Sequence, residues 1–214
     1  PEGYCLTLSG ANPGTKTVDI VLYAVQRSPD LYNLQLEKAG VQVNQAGAIV
    51  VDPFHRTSQS NIFAIGDCTE RTKYKLTPVA VAEGKSFADQ EFSTQFDPVR
   101  YDFIPISLSS YPEAATVGLS EEQAREKFGD AVLCYCKEFY TLFERLSHWD
   151  ETTLIKLVTH RDSNQVLGLH MVGQNAIEIV QTFVIALNKG ATKQDIDRLI
   201  SIHPSLVEEF FALG

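Results

Sequence analysis

The order in which strands and helices are predicted changes near residue 98. This change constrains the fold more than any other feature of the sequence. In the first half, short apolar runs predict strands at 18–25, 48–52 and 61–67, which alternate with turns and helical stretches as is typical of α/β domains. The run at 18–25 is rich in β-branched residues and predicts a strand buried on both faces. The second half places strands before helices, so we predict a separate α+β domain that begins after a linker at 97–105.

The elements of the second half follow from apolar patterns and from helix-start signals. Strands are predicted at 104–109, 131–139, 153–160 and 165–172. Helices are predicted at 120–128, 175–189, 193–200 and 204–213. Ser120 and Gln123 have the spacing of a capping box at the first of these helices. In the first half a mostly buried helix is predicted at 76–92, with Thr77 as its N-cap and Pro78 in its first turn.

The composition excludes several classes of partner. The 214 residues carry a formal net charge of −9 and show no basic stripe, so neither nucleic acid nor a membrane surface is expected as a partner. No apolar run reaches the roughly 18 residues that a membrane span needs. The four cysteines lack the spacing of a zinc site, so no metal is expected, and reduced thiols in a cytoplasmic compartment are predicted.

The end of one predicted strand and the start of the next helix form the first candidate site. The run at 61–67 ends in Gly66-Asp67, and in open α/β sheets ligands bind at the carboxyl ends of strands. Thr77 opens the next helix, where free N–H groups favour negative charge. Together they suit a ligand with hydroxyls and an electron-rich edge, either a reduced flavin or a phosphate. An ordinary strand-ending turn is the alternative interpretation of Asp67.

The segment "SIHPSLVEE" at 201–209 is the second candidate. His203 precedes Pro204, which is expected to open a helix with Glu208 and Glu209 in its second turn. A carboxylate that binds one ring nitrogen fixes the tautomer of a histidine and raises the basicity of the other nitrogen. The pattern therefore indicates an acid–base pair. A surface helix with solvated glutamates and a capping histidine explains the segment equally well.

Other residues with chemical potential stand alone in the sequence. The remaining histidines are predicted to be surface or packing residues: His55, His148, His160 and His170. Trp149 is predicted to be a loop or interface aromatic.

Six segments occur in the order found in one enzyme family: "IFAIGD", "LTPVAVAEG", "EAATVGLSEEQA", "LGLHMVG", "ALNKGATKQD" and "IHPSLVEEF". Nearly the whole chain therefore resembles the flavin-dependent pyridine nucleotide-disulfide oxidoreductases, and among them most the glutathione reductases of the cyanobacterial and plant type. The resemblance implies that 1–98 is the end of a Rossmann-like FAD/NAD(P)-binding region. Within it, 1–52 would close the NADPH domain and 53–98 would return to the FAD domain. Residues 100–214 would form the α+β dimerisation domain.

For the cofactors, the resemblance implies that Asp67 binds the ribityl chain of FAD. Leu76 and Thr77 would place the helix start against the isoalloxazine ring. Arg27 matches a turn of the NADPH domain, although Gln26 departs from the glycine that the family has before this arginine.

For catalysis, the resemblance implies a homodimer whose active site is shared between subunits. His203 would enter the partner's site and protonate the thiolate that leaves when glutathione disulfide is reduced, and Glu208 would orient it. The implied substrate contacts are Lys85, Leu142, Ser205 and Glu209. Lys85 stands where the family often has an arginine, and weaker binding is expected because lysine lacks the bidentate fork.

Three functional interpretations follow. The first is the carboxy-terminal part of an NADPH-dependent, FAD-containing glutathione-disulfide reductase. Dihydrolipoamide dehydrogenase is the alternative within the family, and the adjacent Glu208 and Glu209 favour the former. The third is a dimerisation fragment without activity, because the GxGxxG loop and the CxxxxC redox disulfide of the family do not occur in these 214 residues. We expect both motifs upstream in a longer chain and expect the fragment alone to be inactive.

Overall fold

The computed structural model of the protein describes residues 3–25, 27–71, 74–93, 98–147 and 150–214. Gln26, His148 and Trp149 lie outside the described residues. The chain divides into two compact units, Pro1–Val99 and Arg100–Gly214. Each unit buries its own hydrophobic cluster.

The first unit contains one hairpin and one long helix. Its elements are the antiparallel strands β1 (Tyr4–Leu8) and β2 (Gly14–Val18), the short helix α1 (Leu36–Ala39) and the helix α2 (Thr77–Phe92). Single turns of 3₁₀ helix lie at Tyr32–Leu34 and Gly66–Cys68. Isolated bridges join Val43 to Ile49, Ile49 to Thr69, and Arg56 to Phe63.

The strands predicted at 18–25, 48–52 and 61–67 are wrong. Residues 19–25 have neither helix nor strand, and at the other two sites only single bridges form. The large apolar side chains of 19–25 that are 76–87% exposed are Ile20, Leu22, Tyr23 and Val25. A strand needs a neighbour that accepts and donates its backbone hydrogen bonds. Among the described residues this run has no such neighbour, so its apolar composition alone does not make it a strand.

Helix α2 begins one position earlier than the capping prediction requires. Its N-cap residue is Leu76, so the prediction of Thr77 as the N-cap is wrong. Pro78 lies in the first turn as predicted, where its missing N–H costs nothing. The buried residues of the helix are Val79, Glu83 and Ser86. The prediction of a mostly buried helix is therefore wrong, since Val81 is 52% exposed and one of the three buried residues is a carboxylate.

The second unit is built on a five-stranded antiparallel sheet. Its strands are β3 (Ile106–Leu108), β4 (Ala114–Gly118), β5 (Val132–Phe139), β6 (Thr153–His160) and β7 (Val166–Val172), in the spatial order β3-β4-β7-β6-β5. Its helices are α3 (Glu121–Phe128), α4 (Leu142–Ser147), α5 (Ala176–Asn188), α6 (Lys193–Asp197) and α7 (Glu208–Phe211). A 3₁₀ turn at Gly129–Ala131 precedes β5. The α+β character predicted for this half is confirmed, and all four predicted strands are present.

The main core of this unit lies between the sheet and α5. Alternate residues of a strand share one face, and the core residues that β6 and β7 contribute in this way are Ile155, Leu157, Leu169 and Met171. Helix α5 packs on them through Ala176, Val180 and Leu187, which share one helical face. Phe210 of α7 completes the cluster and is fully buried.

The sequence does not predict β4, because "AATVG" is short and rich in small residues. Two glycines allow this strand to approach β7 closely. A Cβ atom at Gly168 would lie 2.1 Å from the carbonyl oxygen of Leu119, and one at Gly118 would lie 2.3 Å from that of Leu167. The pairing of β4 with β7 therefore depends on these two glycines.

The helix predictions differ in accuracy. The capping box of α3 is confirmed, since Ser120 Oγ accepts from the Gln123 N–H and the Gln123 side chain accepts from the Ser120 N–H. The helix predicted at 204–213 is wrong in extent, because α7 comprises only Glu208–Phe211. Helix α6 ends at Asp197 rather than at 200, and α4 is not predicted by the sequence.

The described ranges contain neither a candidate membrane span nor a candidate metal-ligand cluster. Within them, no helix combines the length and the apolar composition that a membrane span requires. The described side chains also include no group of three or more His, Cys, Asp or Glu residues arranged to hold a metal ion.

Candidate active site

A histidine–glutamate pair lies at the start of α7. The Nδ1 atom of His203 is 2.8 Å from Oε2 of Glu208. The other oxygen, Oε1, accepts a hydrogen bond from the backbone N–H of Ser205 at 3.2 Å. The Ser205 hydroxyl oxygen in turn accepts one from the backbone N–H of Glu208 at 3.2 Å. Ser205 and Glu208 thus share the reciprocal bonds of a capping box, a spacing that the sequence already contains.

These bonds set the charge state of the pair. The hydrogen bond with His203, followed by that from the Ser205 N–H, holds the pKa of Glu208 below its usual value. Glu208 is therefore a carboxylate at neutral pH, and the ring N–H at Nδ1 donates to it. Nε2 is left for a ligand, and the His203 side chain is 82% exposed. A ring oriented in this way can hold or release a proton at Nε2.

Buried residues after Glu209 anchor the pair to the core. Phe210 is fully buried, and its ring centroid lies 5.1 Å from that of Phe183 in α5. Leu213 is also buried. Helix α7 has only four residues, which is too short to be stable through its own hydrogen bonds. Burial of Phe210 and Leu213 therefore fixes the position of Glu208.

The ring of His203 lines a groove of about 890 Å³ in the second unit. The predicted site residues that line this groove are Leu142, His203, Ser205, Glu208 and Glu209. The wall formed by α4 is apolar and open to solvent, with Leu142 59%, Phe143 66% and Leu146 73% exposed. The structure therefore brings together all the site residues that were predicted in this half of the chain.

The groove also contains a charged residue that the sequence does not predict. Nζ of Lys137, on β5, forms an ion pair with Oε2 of Glu209. The two residues are 72 positions apart, so no local spacing signal reveals the pair. The carboxylate of Glu209 therefore enters the groove with a cationic partner.

The turn at Gly66-Asp67 forms a second group of candidate residues, in the first unit. Nη2 of Arg27 lies 3.0 Å from Oδ2 of Asp67 and donates to the carbonyl oxygen of Lys75 at 3.0 Å. The backbone N–H of Gly66 donates to the buried carboxylate of Glu83 at 2.6 Å. The turn that carries Asp67 is thus tied both to α2 and to Arg27. Contact of Arg27 with NADPH stays a prediction.

The side chains at this turn fit a polar ligand such as a flavin. The Asp67 side chain is 42% exposed, and a carboxylate paired with one guanidinium keeps acceptor sites for ligand hydroxyls. Helix α2 has no acidic residue in its first turn and no side-chain cap at Leu76. Its first N–H groups, near Thr77, therefore suit an electron-rich ligand edge. Lys85 is exposed further along the same helix.

The other described histidines occupy packing positions. His170 bonds to the carbonyl oxygen of Leu119 at 3.1 Å, and burial lowers its pKa. His55 is 3% exposed, and burial lowers its pKa as well. The ring of His160 packs edge-on against Phe128.

Two family profiles match the chain. The pyridine nucleotide-disulphide oxidoreductase dimerisation domain matches residues 104–212, and the pyridine nucleotide-disulphide oxidoreductase profile matches residues 4–84. The chain belongs to the pyridine nucleotide-disulphide oxidoreductases. The family resemblance and the fold class predicted from the sequence are confirmed.

This pyridine nucleotide-disulphide oxidoreductase is similar to several glutathione reductases. It is 41% identical to that of Nostoc sp., in an alignment that covers 100% of this chain and 48% of the relative. Identity to the Burkholderia cepacia enzyme is 42%, covering 92% of this chain and 43% of the relative. Identity to the chloroplastic/mitochondrial enzyme of Pisum sativum is 39%, covering 90% and 34%. The chain thus spans about half, or less, of the length of the curated relatives it matches.

Proposed function

We propose that this chain is the carboxy-terminal part of an NADPH-dependent, FAD-containing glutathione-disulfide reductase. The observation that carries the proposal is the exposed His203–Glu208 pair in the groove, and the similar glutathione reductases support the substrate. The full protein would act in the cytoplasm as a homodimer with a shared active site. In this proposal 1–52 belong to the NADPH domain, 53–98 to the FAD domain and 100–214 to the dimerisation domain.

His203 is proposed to be the general acid of disulfide reduction. A thiolate attacks one sulfur of glutathione disulfide, the S–S bond breaks, and the second sulfur leaves as a thiolate. That thiolate takes a proton from Nε2 of the imidazolium, because a thiol, with a reference pKa of about 8.5, is a weaker acid than an imidazolium. Glu208 keeps its bond to the Nδ1–H and compensates the positive charge of the ring.

Residues of the first unit are proposed to hold FAD. Asp67 would accept hydrogen bonds from the ribityl hydroxyls, and the start of α2 at Leu76 and Thr77 would lie against the isoalloxazine edge. When bound, NADPH would supply the two electrons that reduce the disulfide, and FAD would transfer them. Arg27 orients Asp67 through their 3.0 Å ion pair.

The groove is proposed to bind one end of glutathione disulfide. Ser205 and Glu209 offer polar contacts, and Leu142 offers an apolar wall. Lys85 is proposed to bind a substrate carboxylate. Since lysine binds carboxylates without the bidentate fork of arginine, this contact would contribute less affinity than an arginine would.

The two half-reactions of the full-length protein test the role of His203. His203→Gln should slow oxidation of the reduced enzyme by glutathione disulfide about 10²–10⁴-fold, the usual contribution of a general acid. Flavin reduction by NADPH should be largely unchanged, because it does not use this proton. His160→Gln is the matched control and should leave both steps unchanged. Equal slowing of both steps by His203→Gln would contradict the acid role.

The substrate is tested on the unsubstituted full-length protein. NADPH oxidation by glutathione disulfide should be faster than NADH formation from dihydrolipoamide, and the reverse order would favour a dihydrolipoamide dehydrogenase. The 214-residue chain alone, which lacks the CxxxxC motif, should not oxidise NADPH with glutathione disulfide. Activity of the isolated chain would contradict the assignment of the redox disulfide to another part of the protein.

A further inference from the structure

Four of the five charged side chains that line the groove are paired with one another. Those that line it are Lys137, Arg145, His203, Glu208 and Glu209. Glu208 is bound by the ring of His203, and Glu209 is bound by Lys137. Each carboxylate of the groove therefore has a donor from the protein itself, before any substrate arrives.

Both partners of the Lys137–Glu209 pair stand on fixed backbone. Lys137 lies on β5, which pairs with β6 along all eight of its residues and places Lys137 opposite Ile155. Glu209 directly precedes the buried Phe210. Because both backbones are already ordered, forming the pair costs little more than side-chain entropy. The side chains are 38% and 28% exposed, so the pair is partly shielded from salt.

The pair changes what Glu209 can bind. A carboxylate without a partner in such a groove attracts a substrate ammonium through a charge-assisted hydrogen bond. With Nζ of Lys137 on Oε2, an incoming ammonium has to displace the lysine or share the carboxylate with it. The ammonium group of a substrate therefore adds less binding affinity than it would if the carboxylate of Glu209 had no partner.

We propose that Lys137 is a specificity-determining residue. By occupying Glu209, it lets the groove accept disulfides whose amino groups are blocked or absent almost as well as those with free ammonium groups. This inference rests on the proposed function, because it concerns glutathione disulfide, a peptide disulfide with both ammonium and carboxylate groups.

A comparison of two substrates tests the proposal on the full-length protein. We would measure kcat/KM for glutathione disulfide and for the same disulfide acetylated at both amino groups. Lys137→Met keeps most of the length of the side chain and removes its charge. It should raise the ratio of the two kcat/KM values, free amine over acetylated, about threefold, the effect expected of one partly exposed ion pair.

Three variants separate this role from a general effect of charge. Arg145→Met removes another cation of the same groove and should leave the ratio unchanged. Lys137→Arg keeps the cation and should retain the ratio of the unsubstituted protein. In a Glu209→Gln background the carboxylate is absent, so adding Lys137→Met should no longer change the ratio.

The outcomes distinguish the inference from the proposed function. Turnover of glutathione disulfide with the same ratio in Lys137→Met overturns the role of Lys137 alone. An equal rise of the ratio in Arg145→Met also overturns it, because the loss of any cation of the groove would then explain the effect. If the unsubstituted protein does not reduce glutathione disulfide at all, the proposed function fails and the inference fails with it.

Discussion

Replacement of Phe210 by alanine tests whether the core fixes the His203–Glu208 pair. Phe210 is 0% exposed, and its ring lies 5.1 Å from that of Phe183. Loss of a fully buried phenylalanine side chain costs about 3–5 kcal/mol, of which the aromatic pair accounts for about 1 kcal/mol. Because the side chain has no exposed part, we expect the free energy of unfolding to fall by about 4 kcal/mol.

Guanidinium unfolding followed by circular dichroism measures this loss, with Phe211→Ala as the matched control. Phe211 is only partly buried, so its loss should cost clearly less. The disulfide half-reaction should also slow in Phe210→Ala molecules that remain folded, because Glu208 loses its anchor. A loss below about 1 kcal/mol, or an unchanged half-reaction, would refute the reasoning.

Two further substitutions test the sheet and one ion-pair cluster. Gly168→Ala would place a Cβ 2.1 Å from the carbonyl oxygen of Leu119, so the free energy of unfolding should fall by about 2 kcal/mol or more. Gly14→Ala is the control: its Cβ would meet no atom within 4 Å, so no loss is expected. Glu121→Gln tests how the stability of the fold depends on pH. Hydrogen bonds from Lys156 and then Arg125 lower the pKa of Glu121 from 4.5 to about 2. The carboxylate therefore stabilises the fold fully above pH 4.5, and this stabilisation is lost as pH falls to about 2. The Tm difference between the variant and the unsubstituted protein should shrink in that window, and a difference independent of pH would contradict the assignment.

The sequence predicts best the elements whose signal lies within one short segment of the chain. The capping box of α3 joins residues three positions apart, so its spacing is visible in the sequence. Strand β6 has four apolar residues in eight positions and β7 has five in seven, which is the signal of a short, mostly buried strand. Their predicted ranges match the structure to within one residue.

The elements that the sequence misses depend on distant partners. Strand β4 exists because glycines at 118 and 168 let two backbones approach closely, and this contact joins residues fifty positions apart. The run at 18–25 has the composition of a strand but no sheet neighbour among the described residues. The segment after Pro204 is not helical until Glu208, and Ser205 and Glu208 hydrogen-bond to each other across the turn that precedes the helix.

The candidate site divides in the same way. The pairing of His203 with Glu208 spans five residues and was accessible to local spacing. The pairs Lys137–Glu209 and Arg27–Asp67 join distant segments, and only the folded chain brings them together. The candidate site residues are thus easier to predict from local spacing than the distant residues that pair with them.

The two oxygens of Glu208 have separate partners, and this limits which residue can replace it. Oε2 takes the ring of His203, and Oε1 takes the N–H of Ser205. Glutamine has a single carbonyl oxygen and can accept from only one of the two donors. Aspartate keeps both oxygens, but its side chain is one methylene shorter. We therefore expect few substitutions at position 208. More substitutions are expected at Lys137, whose charge pairs with the one carboxylate of Glu209.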